Sequence, residues 1–111
     1  MKICYKFWLE NEKGKAFGDG PFDILNRIEK TGSLRQAALE IRMSYSQAWN
    51  LIRDLEKKLG YELLKRKVGG AEGGGSELTA EAISLQEKYN TFYRQVEEQI
   101  NTIYQSVFKE K

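Results

Sequence analysis

Ser46, Asn50, Arg53 and Lys57 recur at steps of three or four in SYSQAWNLIRDLEKKLG, residues 44–60. At about 100° per residue they share one helix face, opposite the apolar stripe Ala48, Ile52, Leu55 and Leu59. Hydroxyl, amide and guanidinium groups on such a face can read base pairs. Asparagine can pair twice with adenine, arginine can read guanine or hold a phosphate, and lysine can hold a phosphate as a point charge. A solvated helix has the same look, so the neighbouring residues must decide.

Those neighbours are basic. Lys65, Arg66 and Lys67 fall on a predicted strand over residues 62–68, ahead of Gly69, Gly70, Gly73, Gly74 and Gly75. A loop so poor in side chains can lie along a minor groove or a phosphate backbone while the strand anchors it electrostatically. Taken alone it is equally an ordinary hairpin loop. It lacks the G-x-x-x-x-G-K-[ST] pattern that cradles nucleotide phosphates. From Ser33 to Lys67 there are eight basic residues (Arg35, Arg42, Arg53, Lys57, Lys58, Lys65, Arg66, Lys67). Against them stand the four acids Glu40, Asp54, Glu56 and Glu62, a local excess of +4 in a chain of net charge +2. A basic face on a nearly neutral protein suits phosphate contact.

Two short helices must position these groups. Ser33 can cap the first, with Gln36 completing a capping box, and Leu34, Ala37, Ala38 and Ile41 share its inner face. Ser44 and Gln47 repeat the pattern for the second, which Gly60 ends. The small residues Ala37, Ala38 and Ala48 let the helices cross closely. Tyr45 and Trp49 flank the apolar stripe, and Trp49 reads as a packing residue, since large aromatics usually seal such hairpins. Two capped helices, a basic strand and a glycine-rich loop predict a mainly α fold with a small β-wing: a winged helix-turn-helix with a long C-terminal helix. In that fold residues 45–59 form the recognition helix for a major groove and residues 68–76 the wing. The candidate DNA-binding residues are Ser33, Arg35, Ser44, Tyr45, Ser46, Gln47, Asn50, Arg53, Lys57, Lys65, Arg66 and Lys67.

Upstream, the aromatic alternation of Ile3–Leu9 predicts a strand, with a turn at residues 11–14 and a loop at residues 17–20. Pro21 suits the first turn of a helix that Gly32 stops. Downstream, Thr79 can cap a last helix reaching about Phe108. Its stripe of Leu85, Tyr89, Phe92, Tyr93, Val96, Ile100, Ile103, Tyr104 and Val107 is too long for one small core. Tyr89, Phe92, Val96, Ile100, Ile103 and Val107 are therefore predicted to pair with a second copy. Residues 1–78 are read as the DNA-binding domain and residues 79–111 as a dimerisation helix packed on it.

The segments GSLRQAALEIRMSYSQAW (32–49) and KRKVGGAEGGGSELTAEA (65–82) resemble the N-terminal DNA-binding domain of the ModE-type molybdate-responsive transcriptional regulators. The S-Y-x-x-A-W run at 44–49 and the glycine-dense wing ending in Leu78–Thr79 are the distinctive parts. A broader similarity to LysR-type helix-turn-helix domains rests on Ala48, Ile52, Leu55–Glu56, Leu59–Gly60 and Arg66. The resemblance covers nearly the whole chain and implies a homodimer on a palindromic operator in double-stranded DNA. Two features depart from it. The sequence ends before the molybdate-binding domains such regulators generally carry, so no molybdate binding is expected of this chain. Where the family often has a basic residue early in the recognition helix, Ser46 and Gln47 stand here.

Composition narrows the alternatives. The 111 residues suffice for one compact domain. The one cysteine, Cys4, cannot form an internal disulfide and is read as buried packing in the first strand. With no signal peptide and no long apolar run, a reducing cytoplasm is the expected location. The absence of histidine excludes Cys–His nucleophile pairs, a histidine base and the usual zinc sets, and no convergent carboxylate pair is recognisable. Neither enzyme activity, a metal nor a cofactor is expected. A winged-helix protein-interaction module, or a DNA-binding subunit whose sensor sits on another chain, remains as the alternative.

Overall fold

Eight elements follow in chain order: β1 (Leu9–Asn11), β2 (Gly14–Phe17), α1 (Asp19–Thr31), α2 (Leu34–Glu40), α3 (Tyr45–Leu59), β3 (Leu64–Lys67), β4 (Gly75–Leu78) and α4 (Ala80–Phe108). The computed structural model describes residues 1–67 and 75–109, with the backbone alone at Lys67. Of the expected wing, residues 68–74 lie outside the described residues.

Local signals account for the helix boundaries. Pro21 falls among the first residues of α1, where a missing N–H leaves no acceptor unfilled. Gly32 ends that helix at φ 73°, a left-handed conformation that glycine adopts without steric cost, and donates its N–H to the Ile28 carbonyl. The Ser33 hydroxyl accepts from the Gln36 N–H, but the expected box is half formed, because the Ser33 N–H donates to Thr31 Oγ1 instead. At α3 the box is complete: the Gln47 N–H donates to Ser44 Oγ, and the Ser44 N–H to Gln47 Oε1.

Helices α1, α2 and α3 bury Ile24, Leu25, Ile28, Leu34, Ala37, Ala38, Ala48, Ile52 and Leu55 in one core. The alanines are almost wholly enclosed, so their small volume sets how closely α2 and α3 approach. Strands β3 and β4 pair antiparallel, from Leu64 opposite Leu78 to Lys67 opposite Gly75. The Ser76 N–H donates to the Gly32 carbonyl, tying this ribbon to the end of α1. Thr79 donates its N–H to Leu63 O and its hydroxyl to Glu62 O, while accepting from the Ala82 N–H to cap α4. One threonine thus joins the root of the wing to the start of the last helix.

The N-terminus differs from expectation. Residues 1–8 form no strand, and the first pairing is a short hairpin of β1 with β2. The alternation is nevertheless physical. Tyr5 and Phe7 are half-buried, Phe7 against Tyr89, Phe92 and Tyr93 of α4, while Cys4, Lys6 and Trp8 face outward. The period of two describes an extended strap lying on a helix, where no second strand accepts a ladder. Cys4 is accordingly exposed, not buried.

Tyr89 is the second correction. It was expected in the self-association stripe, yet it is 2% exposed at the centre of an aromatic cluster with Phe17, Phe22 and Tyr93. Its hydroxyl donates to Asp19 Oδ1 at 2.7 Å. Burial raises the phenol's pKa, and the Asp19 hydrogen bond and charge raise it further. The folded chain therefore holds this proton more tightly than the unfolded one. The stabilisation is whole below the unfolded pKa of ~10 and is lost as pH rises through it toward the folded value. Urea midpoints should fall between about pH 9 and 11 in the wild type. They should fall less in Tyr89→Phe, which loses about 1 kcal/mol at neutral pH.

Candidate nucleic-acid interface

Ser46, Gln47, Asn50, Arg53 and Lys57 are all exposed on α3, opposite its buried Ala48, Ile52 and Leu55. Beside them the N-terminal end of α2 and the β3–β4 ribbon form the walls of a concavity of about 640 Å³. Its lining includes Ser33, Arg35, Tyr45, Trp49, Arg53, Lys65, Arg66 and Ser76. Of the sequence-predicted set, the concavity thus unites residues from α2, α3 and β3 that lie far apart in the chain. Lys67 cannot be placed, because its side chain lies outside the described residues.

A stack of two rings flanked by two cations runs along one wall. The Arg35 guanidinium lies 4.5 Å from the Tyr45 ring centre, Tyr45 stacks on Trp49 with centroids 6.4 Å apart, and Arg53 sits 4.2 Å over Trp49. Each cation is drawn to the negative face of its ring, an attraction of about 0.5–1 kcal/mol at exposed sites. The stack ends at Glu56, whose Oε1 accepts from Arg53 Nη1 at 2.8 Å. Glu56 is 8% exposed, and its other oxygen accepts from the Leu63 and Leu64 N–H groups at 2.8 and 3.4 Å. A buried carboxylate needs such donors. Here they come from α3 itself and from the chain entering β3.

Several predicted residues have structural duties at this surface. The hydroxyls of Ser33 and Ser44 and the amide of Gln47 are engaged in helix caps. Lys65 faces Glu77 across the ribbon at 3.6 Å, with both side chains about half exposed. Two residues escaped the sequence reading. Trp49 seals no core: it is 39% exposed on the outer surface, and its i, i+4 spacing from both Tyr45 and Arg53 was the available signal. Glu56 follows Ile52 by four, which puts a carboxylate on the apolar stripe.

The far end of α3 is also held. Asn11 Nδ2 donates to the Lys58 carbonyl at 2.8 Å and Lys13 Nζ to the Lys57 carbonyl at 3.2 Å, so the β1–β2 hairpin fills acceptors left over at the helix C-terminus. On α4, Phe92, Ile103 and Val107 are exposed, while Val96 and Ile100 are partly covered.

The profile of the bacterial regulatory helix-turn-helix protein, lysR family, matches residues 22–83, from α1 into the first turn of α4. Over 71 residues the chain is 35% identical to the molybdenum transport protein ModE of Azotobacter vinelandii, covering 64% of this chain and 26% of that protein. It is 37% identical over 71 residues to the transcriptional regulator ModE of Haemophilus influenzae, covering 64% of this chain and 28% of that protein. The chain thus spans about a quarter of the length of the curated relatives it matches. The crystal structure of the CbnR DBD–DNA complex is similar in fold, with a TM-score of 0.58 at 20% identity over 78% of this chain and 93% of that one.

Glu56 yields a prediction independent of any ligand. Glu56→Ala should destabilise the chain by about 2–3 kcal/mol, since it strands the buried Leu63 N–H and breaks a charge-assisted bond. Glu56→Gln, which keeps an acceptor, should cost less. Urea denaturation at neutral pH measures both.

Proposed function

The chain belongs to the lysR-type family of bacterial regulatory helix-turn-helix proteins, and from that membership we propose that it is a sequence-specific, double-stranded-DNA-binding transcriptional regulator acting as a homodimer. The carrying observation is the concavity that unites Arg35 of α2, Tyr45, Trp49 and Arg53 of α3, and Lys65 and Arg66 of β3, beside the exposed face of α3. Helix α3 enters the major groove, and the β3–β4 ribbon approaches the adjacent backbone. Ser46 and Asn50 face base edges. Arg35, Lys57, Lys65 and Arg66 hold phosphates, which position the protein without carrying sequence information. That two relatives are named as a regulator and a transport protein of the ModE type supports the reading.

Asn50→Ala should relax sequence preference, at a cost of about 1–3 kcal/mol toward the preferred duplex. Arg66→Ala should instead weaken binding to all duplexes alike and lower the slope of log affinity against log salt by about one. Fluorescence anisotropy over a salt series separates these effects. Absence of salt-dependent binding to any duplex would overturn the proposal in favour of a protein-interaction module.

Geometry supports the homodimer. The buried residues of α4 are Ala82, Gln86 and Tyr89, all in its first three turns, yet the helix has 29 residues and extends about 44 Å. The radius of gyration is 17.1 Å, against about 13 Å for a compact domain of this size. Ile103 and Val107 are 60% and 67% exposed, and a second copy of α4 would cover them. A two-fold dimer spaces its recognition helices about 34–36 Å apart and so reads a palindrome. Val96→Glu with Ile103→Glu should weaken self-association by about 3 kcal/mol or more, through burial of unpaired charge. Operator affinity should drop with it. Sedimentation equilibrium at micromolar concentration reads the first effect, and a wild-type protein monomeric there would sink the dimer.

A further inference from the structure

We infer that Tyr45 and Trp49 read the 5-methyl group of thymine, and that Arg53 is a positioning residue for the Trp49 ring instead of a base reader; this rests on the DNA-binding reading above. The two rings are 41% and 39% exposed although the core beneath α3 is complete without them, with Ala48 and Ile52 buried. Together with Ser46 and Asn50 they line a depression of about 300 Å³ on the outer face of α3. The cations beside it are engaged. Arg35 lies over Tyr45, and Arg53 lies over Trp49 while bonded to Glu56 at 2.8 Å. What the depression offers a base pair is therefore ring surface, with the hydroxyls of Tyr45 and Ser46, the Trp49 indole N–H and the Asn50 amide as its polar groups.

That set selects among base edges. Guanine shows two acceptors to the major groove and calls for a cation; cytosine shows an amino donor beside a bare ring carbon. Thymine shows an acceptor beside a methyl group, and its partner adenine shows the donor and acceptor that an asparagine amide matches. Apolar surface beside Asn50 thus fits an A·T pair, with the methyl in the depression and the adenine edge on the amide. The stacks restrict the rings before binding, so little side-chain entropy remains to be lost on contact. Rings packed on deoxyribose along the backbone would show no dependence on the methyl.

Duplexes enriched from a random pool by the full chain provide the test. Each thymine is replaced in turn by deoxyuridine, which removes the methyl alone, and each T·A pair in turn by C·G and by 5-methylcytosine·G, which differ from each other only in the methyl. At one or two positions per half-site, deoxyuridine should weaken binding about fourfold, the worth of one buried methyl group. At those positions 5-methylcytosine should bind better than cytosine by a similar factor. Trp49→Ala or Tyr45→Ala should abolish the thymine–deoxyuridine difference there, and Arg53→Gln should reduce it without changing discrimination between guanine and adenine. Strong binding by the wild type with deoxyuridine tolerated at every position would overturn the inference. So would a methyl dependence undiminished in both ring variants. Failure to enrich any duplex would instead overturn the DNA-binding reading, and this inference with it.

Discussion

A carboxylate taken out of water is unstable unless several donors surround it, and Glu56 places that demand at the junction between the recognition helix and the wing. One of its oxygens accepts from the Leu63 and Leu64 N–H groups, the other from Arg53. Sliding β3 along α3, or turning α3 about its axis, would break the first pair, while the second lies within α3 and moves with it. The separation of the two surfaces expected to meet DNA is therefore set by short charge-assisted bonds, which are stronger and more directional than the apolar contacts around them. Through Arg53 the same carboxylate also fixes Trp49, and through Trp49 the stack continues to Tyr45 and Arg35. An interior interaction thus sets the shape of an exterior face.

What was legible in the sequence was what is local. The caps at Ser33, Ser44 and Thr79, the glycine stops at Gly32 and Gly60, and the stripes of α2 and α3 depend on spacings of three or four residues, and the structure has them. What was misread depends on which distant surface a residue meets. The alternation at Ile3–Leu9 holds at Tyr5 and Phe7 while Ile3 and Leu9 stay exposed, and a strand needs a partner ladder that residues 1–8 do not meet. Tyr89 lies on the α4 stripe with Ile103, yet Asp19 and the ring of Phe17 claim it, and nothing near it in sequence says so. Trp49 went the other way: its size argued for burial, while the core under α3 closes with Ala48, Ile52 and Leu55 and leaves Trp49 39% exposed.

Helix α4 divides at Tyr93. Before that point its inner face is shared with α1, β2 and the N-terminal strap, through Tyr89 to Phe17 and Phe22, the Gln86–Asn26 hydrogen bond, and Phe7 against Tyr93. Beyond it the stripe continues without any fully buried residue. The two halves answer to different constraints. The first is tied through Thr79 to Glu62 and Leu63, beside the wing root, so its direction follows the wing. The second carries that direction outward. A second copy bound there would inherit its orientation from the hydrogen bonds of Thr79 to the chain entering β3, which would couple half-site spacing to the β3–β4 ribbon.

The fixing of α3 has a thermodynamic consequence for recognition. A helix that frays or shifts must lose that freedom on binding, and the loss subtracts from affinity. Here the N-terminus is closed by the reciprocal Ser44–Gln47 box and the last turn is tied to the chain entering β3 by Glu56. The C-terminus is closed by Gly60 at φ 86° and by Asn11 and Lys13, which donate from the β1–β2 hairpin. That hairpin lies upstream of residues 22–83, the segment matched by the family profile. It adds hydrogen bonds at the helix end that the matched segment cannot supply from within itself. Lys13 brings a second advantage, since a cation beside the last carbonyls interacts favourably with the helix dipole. The groups on the outer face of α3 are thus carried by a helix restrained at three points, and a difference of one methyl group on a base edge can be felt as a difference in binding because little of it is absorbed by movement of the helix.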